Sequence, residues 1–263
     1  MIQPTAFADL NDVLAELVAG TRAALGEALC GVYLQGSFAV GDADEHSDVD
    51  FVTLTEDALT AEQVDALRSL HRRLHVLDSE WARHLEGSYA TTRLFRRLDP
   101  ARTPLLYLDN GASELVWDAH CNTAVVRWSL RERGVVLTGP DPKTVVEPVS
   151  AEDLRAEVRA ALPEWAAWAG EPTKAGPMSR WKQALLVLSC CRMLHTLASG
   201  VVASKREAGE WALGELPARW HDLIRHSLAE RPDPWQKVYQ PADPRTAAET
   251  LAFVGFAVGA GEG

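Results

Sequence analysis

The sequence predicts an α+β fold, with a layer of strands and helices over the N-terminal part and an all-α bundle over the C-terminal part. Three observations predict it. Short apolar runs at Val32–Leu34 and Val49–Leu54 sit among stretches of helical periodicity, Gly and Pro cluster between Gly139 and Pro148, and beyond Pro148 every apolar pattern has helical spacing. A chain of 263 residues has room for one large domain or two modest ones, each able to bury a core. The punctuation places the boundary near 148, giving domains 1–148 and 149–263.

From Thr5 to Leu29 apolar residues recur at helical spacing (Leu10, Val13, Leu14, Leu17, Val18, Leu25), which predicts a first helix. Gly31 interrupts it, Val32-Tyr33-Leu34 reads as a short buried strand, and Gly36-Ser37 follows at once. A polar stretch from Gly41 to Ser47 leads into a second strand, Val49 to Leu54. Thr60 then starts a helix carrying Val64, Leu67, Leu70 and Leu74. A third strand covers Leu85 to Thr91, with Gly87 in its interior as the weak point. No element is read between 92 and 136, and Leu137-Thr138-Gly139-Pro140-Asp141-Pro142 reads as turn. Helices follow at about 151–169, 179–199 closed by Gly200, 204–214, 218–230 and 244–258. Ser150 with Asp153 and Ser204 with Glu207 have capping-box spacing, Asp243 is placed to cap the last helix, and Pro217 and Pro244 suit first-turn positions.

Composition narrows the function. Hydrophobic residues at 47% and charged residues at 24% describe a chain that folds. With 26 Lys and Arg against 37 Asp and Glu, the formal charge is −11, which argues against a broad phosphate-tracking surface for nucleic acid and favours a cationic small substrate. None of the four cysteines has C-x-x-C spacing, Met1 to Leu10 lacks a basic start with an apolar run, and Leu251 to Val258 falls far short of the ~20 residues that span a bilayer. The expectation is a cytoplasmic protein with no nucleic-acid or membrane partner.

The chemistry concentrates at Gly36-Ser37 and Ser47-Asp48-Val49-Asp50. Alternate residues of a strand share a face, so Asp48 and Asp50 present two carboxylates side by side while Val49 points into the core. Such a pair repels itself unless a divalent cation intervenes, and Mg²⁺ takes one or two carboxylates together with substrate phosphates. A glycine directly after a strand lets backbone approach a phosphate, and the amides after it open a helix N-terminus suited to an anion. A nucleoside triphosphate satisfies both halves.

These residues resemble the signature of the nucleotidyltransferase superfamily, shared by DNA polymerase beta, kanamycin nucleotidyltransferase and the aminoglycoside adenylyltransferases. Leu137-Thr138-Gly139-Pro140, the segment Ser189 to Arg192, and Ala203-Ser204-Lys205 with Glu210-Trp211-Ala212 resemble the streptomycin and spectinomycin adenylyltransferases in particular. The resemblance implies a polymerase-beta-like mixed-sheet catalytic domain followed by a helical domain. It implies AMP transfer from ATP, with two Mg²⁺ ions, to a hydroxyl of an aminoglycoside or aminocyclitol antibiotic, giving resistance. By the same resemblance Asp48, Asp50 and Glu86 are metal ligands and Glu86 is the catalytic base, with Glu80 as the alternative. Gly36, Ser37, Ser47, Arg192 and Lys205 lie at the nucleotide.

Streptomycin-modifying relatives grip the drug with a tryptophan and acidic residues between two helices. Here that stretch, Trp168 to Pro177, holds Trp168 and Glu171 but no aspartate, so a spectinomycin-like acceptor is expected over streptomycin. Trp117, Asp118, Trp168 and Glu171 are the candidate acceptor contacts, and the enzyme is expected as a monomer. The same transfer to another acceptor, or a nucleotide-binding regulatory module without turnover, are the alternatives. Trp165, Trp168, Trp181 and Trp211 have the spacing of bundle core, His71, His75 and His84 are expected at the surface or between the domains, and Arg93, Arg96, Arg97 and Arg102 read as a solvated face paired with carboxylates.

Overall fold

The N-terminal apolar stripe buries as one face of α1 (Ala8–Leu25), where Leu10, Val13, Leu14, Leu17 and Leu25 are inaccessible. The helix ends where Gly26 turns left-handed at φ 57°, with its N–H on the carbonyl of Arg22. A computed structural model describes residues 3–231 and 234–262, and the chain divides into two units, Met1–Val149 and Ser150–Gly263.

In the first unit the order continues β1 (Leu29–Leu34), α2 (Gly36–Val40), β2 (Val49–Thr55), α3 (Ala61–His75), α4 (Glu80–Arg83), β3 (Leu85–Thr91), α5 (Thr92–Phe95), β4 (Leu105–Leu108), β5 (Leu115–Asp118), α6 (Ala124–Arg133), β6 (Val135–Thr138) and α7 (Pro142–Val145). The six strands form one mixed sheet in the order β5-β4-β3-β2-β1-β6. β2 and β3 run parallel, joined through α3 and α4, and every other pair is antiparallel. Alternation divides the side chains between two cores. Val32, Leu34, Phe51, Leu106 and Leu108 pack with α1 and α3, whereas Tyr33, Val52, Leu54, Leu105 and Tyr107 pack with Phe95 and Leu130 on the opposite face.

Three sequence expectations change. The stretch from 92 to 136 holds the helices α5 and α6, the strands β4 and β5 and the start of β6, and Leu137-Thr138 closes β6 rather than opening a turn. Gly87 does not weaken β3: it sits in register with Phe51, whose ring and carbonyl occupy the space a Cβ would need, so glycine is what lets the two strands approach. His71 is not at the surface. It is 1% exposed, stacked on Phe51, with Nε2 2.7 Å from the Tyr89 hydroxyl.

The second unit comprises α8 (Ala151–Ala169), α9 (Arg180–Ser199), α10 (Lys205–Glu215), α11 (His221–Ala229), α12 (Pro234–Lys237) and α13 (Pro244–Gly261). Both capping boxes form, Ser150 with Asp153 and Ser204 with Glu207, and Asp243 caps α13. α9 lies at the centre, with Leu186, Val187, Cys190, Cys191 and Leu194 in a core shared with Leu162, Trp220 and Phe253. Trp165, Trp168 and Trp181 follow one another edge to face, partly buried. The cysteines are free, and among the described residues no helix is long and apolar enough to cross a membrane.

Candidate active site

The turn between β1 and α2 is built against β2. The N–H of Gln35 donates to the carbonyl of Asp50 at 2.9 Å, and Gly36 follows at φ 60°, in the left-handed region. A Cβ on Gly36 would collide with the Asp50 carboxylate, so glycine is required both by the backbone and by the side chain it faces. Ser37 is in the first turn of α2, and its hydroxyl oxygen is buried with no hydrogen-bond partner. Gly41 ends this short helix at φ 75°, with its N–H on the carbonyl of Ser37.

Ser47 folds its own loop. Its hydroxyl accepts the N–H of Asp44 at 3.0 Å and lies 3.3 Å from the Asp44 carboxylate, which folds the loop leading into β2. Asp48 precedes the first residue of β2 by one position. Asp48 and Asp50, both half-buried, flank the fully buried Val49. Glu86 then lies directly opposite Asp50 in the parallel β2–β3 register. Gly36, Asp48, Asp50 and Glu86 therefore converge at one end of the sheet, where the carboxyl of Glu86 feels the charge of Asp48. Glu80 lies apart, 80% exposed on α4 and paired with Arg83 at 2.6 Å.

Glu86 is held by residues the sequence did not flag. Its Oε1 accepts the Tyr107 hydroxyl at 2.7 Å and stands 3.5 Å from Nε2 of His120. Burial raises the Glu86 carboxyl above the ordinary range; the Tyr107 hydrogen bond and His120 oppose the rise, while Asp48 and Asp109 add to it. Burial and the neighbouring Glu86 keep the Tyr107 phenol protonated far beyond its usual range. The exposed His120 is placed by Asp118, whose carboxylate accepts the His120 N–H at 2.7 Å and so closes the turn after β5.

The donor set at Asp48, Asp50 and Glu86 is all carboxylate oxygen, the chemistry a hard divalent cation prefers. Among the described residues, however, no three His, Cys, Asp or Glu side chains form a group that could hold a metal ion. The expected three-carboxylate set is thus not a preassembled cage. Asp48 and Asp50 fit a cation whose remaining ligands come from phosphate and water, and one oxygen of Glu86, Oε1, accepts the Tyr107 hydroxyl.

Of the expected acceptor contacts, Trp117 and Asp118 lie exposed on the edge strand β5, with Trp117 58% accessible. Trp168 and Glu171 belong to the second unit, where Lys182 ties them together. The Lys182 ammonium, on a residue 1% exposed, donates to the carbonyls of Trp168 (2.6 Å) and Glu171 (2.5 Å) and sits 4.6 Å from the Trp168 ring centre. Arg192 donates from Nε to the carbonyl of Ala203 at 3.0 Å, directly before the Ser204 cap, and Lys205 is the first residue of α10, so the two expected phosphate contacts share one corner of the bundle. Arg96 and Arg97 both pair with Glu147, at 3.1 and 2.8 Å, as a solvated face should.

Comparison with known proteins points the same way. Residues 144–254 match the family model described as the aminoglycoside adenylyltransferase C-terminal domain. The chain is 24% identical over 229 residues to an aminoglycoside (3'') (9) adenylyltransferase of Shigella flexneri, covering 82% of this chain and 83% of the relative. It is 25% identical over 231 residues to a spectinomycin 9-adenylyltransferase of Staphylococcus aureus, covering 81% and 84%. The crystal structure of a spectinomycin adenyltransferase from Enterococcus faecialis with ATP and spectinomycin shares the fold, with a TM-score of 0.72 at 13% identity over 96% of this chain and 99% of that one. In fold, in sequence over most of its length and in its C-terminal domain, the chain resembles the aminoglycoside adenylyltransferases.

Proposed function

We propose that the protein is a magnesium-dependent adenylyltransferase that moves AMP from ATP to a hydroxyl of an aminoglycoside or aminocyclitol antibiotic, and so confers resistance. The observation that carries the reading is the convergence of Asp48, Asp50 and Glu86 behind the Gly36-Ser37 turn, in a chain that resembles adenylyltransferases. Asp48 and Asp50 would hold the magnesium, two ions by resemblance, together with phosphate oxygens. When bound, magnesium neutralises charge on the triphosphate and on the attacking and leaving oxygens.

The chain's own residues do the rest. The Gly36-Ser37 turn brings backbone, and a hydroxyl with unspent bonding capacity, to the phosphates. Glu86 takes the proton from the acceptor hydroxyl as the hydroxyl oxygen attacks the α-phosphorus in line and pyrophosphate leaves, and burial makes it a stronger proton acceptor than an ordinary carboxylate. Ser47 shapes the loop before Asp48 and is, on the resemblance, a proposed nucleotide contact. Arg192 and Lys205 remain proposed phosphate contacts and Trp168 and Glu171 proposed acceptor contacts on the resemblance, and Trp117 and Asp118 are proposed walls of the acceptor site. A formal charge of −11 suits a cationic drug. The reading places a monomeric enzyme in the cytoplasm, acting on a spectinomycin-like acceptor in preference to streptomycin.

Glu86→Gln tests the central assignment. It should bind ATP with unchanged affinity and lose about 10²- to 10⁴-fold in rate. A Glu86→Gln enzyme with full turnover would overturn Glu86 as the base.

A further inference from the structure

We propose that Tyr107 is a positioning residue that fixes the Glu86 carboxylate for its work on the acceptor hydroxyl; this rests on the reading of Glu86 as the base. Tyr107 stands across from Ser88 in the antiparallel β3–β4 register, so it shares a face with Glu86 and reaches it on the diagonal. Its ring is 5% exposed, packed among Val52, Leu105, Cys121 and Leu130, which leaves the hydroxyl no freedom to wander. The hydroxyl stands 2.7 Å from Glu86 Oε1 and 3.0 Å from Asp109 Oδ1. A phenol has one hydrogen to give, so the two carboxylates compete for it, and the shorter contact goes to Glu86. The third neighbour, His120, sits 3.5 Å from the same oxygen on a side chain that is 65% exposed, and its ring leans on that of Tyr107 at 5.3 Å. With Oε1 pinned by a buried donor, Oε2 is the oxygen left to meet the acceptor hydroxyl. The strand alone does not give this order, because a glutamate has three side-chain torsions to settle.

The test uses the full-length enzyme with ATP, magnesium and spectinomycin, in Tyr107→Phe, Glu86→Gln, the double variant and Asp109→Asn. Tyr107→Phe keeps the ring and removes the one hydrogen bond. The expected result is a kcat lowered on the order of tenfold to a hundredfold with the KM for ATP unchanged and the melting temperature lowered by only a few degrees, since the lost hydrogen bond holds the charged group that does the work. In Glu86→Gln, adding Tyr107→Phe should cost nothing further, because the residue acts through Glu86. Asp109→Asn, whose amide can donate to the phenol oxygen, leaves the phenol hydrogen to Glu86 and removes one nearby charge, so its loss of kcat should be smaller than that of Tyr107→Phe.

Full kcat in Tyr107→Phe beside an inactive Glu86→Gln overturns the positioning role and leaves the base standing. A Tyr107→Phe loss that persists at the same size in the Glu86→Gln background also overturns it, since Tyr107 would then act elsewhere. Full turnover in Glu86→Gln is the separate failure of the base reading. Should Tyr107→Phe not fold, Asp109→Asn decides alone, and a loss of kcat there of about a hundredfold or more contradicts the competition for one hydrogen on which the assignment rests.

Discussion

Replacing Gly36 by alanine tests the geometry of the site through two independent costs. The residue sits at φ 60°, where an L side chain costs about 1–2 kcal/mol, and its Cβ would collide with the Asp50 carboxylate. Relieving such an overlap in a packed site typically costs about 1–3 kcal/mol. A loss near 3 kcal/mol, at roughly 2–4 °C per kcal/mol for a chain of this size, lowers the melting temperature by about 6–12 °C. Turnover should fall further than stability explains, because Asp50 must swing away from Asp48 and Glu86 to make room. Gly214→Ala is the internal control: its Cβ meets nothing within 4 Å, it lies inside α10, and alanine there should be neutral or stabilising by about 0.5–1 kcal/mol. Thermal melts and steady-state turnover on the two variants read both effects. Gly36→Ala with the melting temperature and activity of the wild type would refute the claim that this turn is pressed against Asp50.

Three further outcomes follow from the packing. Lys182→Met keeps the buried stem and removes the ammonium from the carbonyls of Trp168 and Glu171. It should cost about 1–3 kcal/mol in a urea melt and raise the KM for spectinomycin if that loop touches the drug. His71 has its pKa lowered by burial to about 4, against about 6.5 unfolded. Between those values the unfolded chain binds the extra proton, so stability is full above pH ~6.5 and falls by about 3 kcal/mol as pH drops to 4. His71→Phe should flatten that slope in denaturant titrations, and an unchanged slope would assign it to other groups. Ser204→Ala removes the hydroxyl that accepts the Glu207 N–H at 3.0 Å, and should destabilise by about 1 kcal/mol while weakening ATP binding if Lys205 reaches phosphate.

The helical unit is the part most legible in the sequence, because its signals are local. Ser150 with Asp153, Ser204 with Glu207, and Asp243 ahead of Pro244 each mark a helix start by chemistry confined to one turn, and each forms. The strands β4, β5 and β6 were not legible, since each is four residues long and only pairing with a distant partner makes it a strand. The carboxylates are visible as a motif, but their setting is not. Asp48-x-Asp50 can be read from spacing, whereas the place of Glu86 opposite Asp50 needs the parallel β2–β3 register. Tyr107 lies in an apolar run whose only polar hint is Asp109 two residues on, and its contact with Glu86 exists only because β4 pairs with β3. Lys182 likewise looks like an ordinary charge on a helix until its burial under the end of α8 is seen. His71 misleads for the converse reason: a histidine in a polar-looking sequence is placed in the core by the helix face it shares with Leu67, Leu70 and Leu74.

The most direct test of the account is to incubate the protein with ATP and magnesium against a panel of spectinomycin, streptomycin and other aminoglycosides, with Asp48→Asn as the blank, and to follow pyrophosphate release together with the mass of each drug. The account predicts that spectinomycin, ahead of streptomycin, gains one AMP as one pyrophosphate is released, and that both signals vanish in the blank. Intact ATP binding with no drug gaining AMP would contradict it.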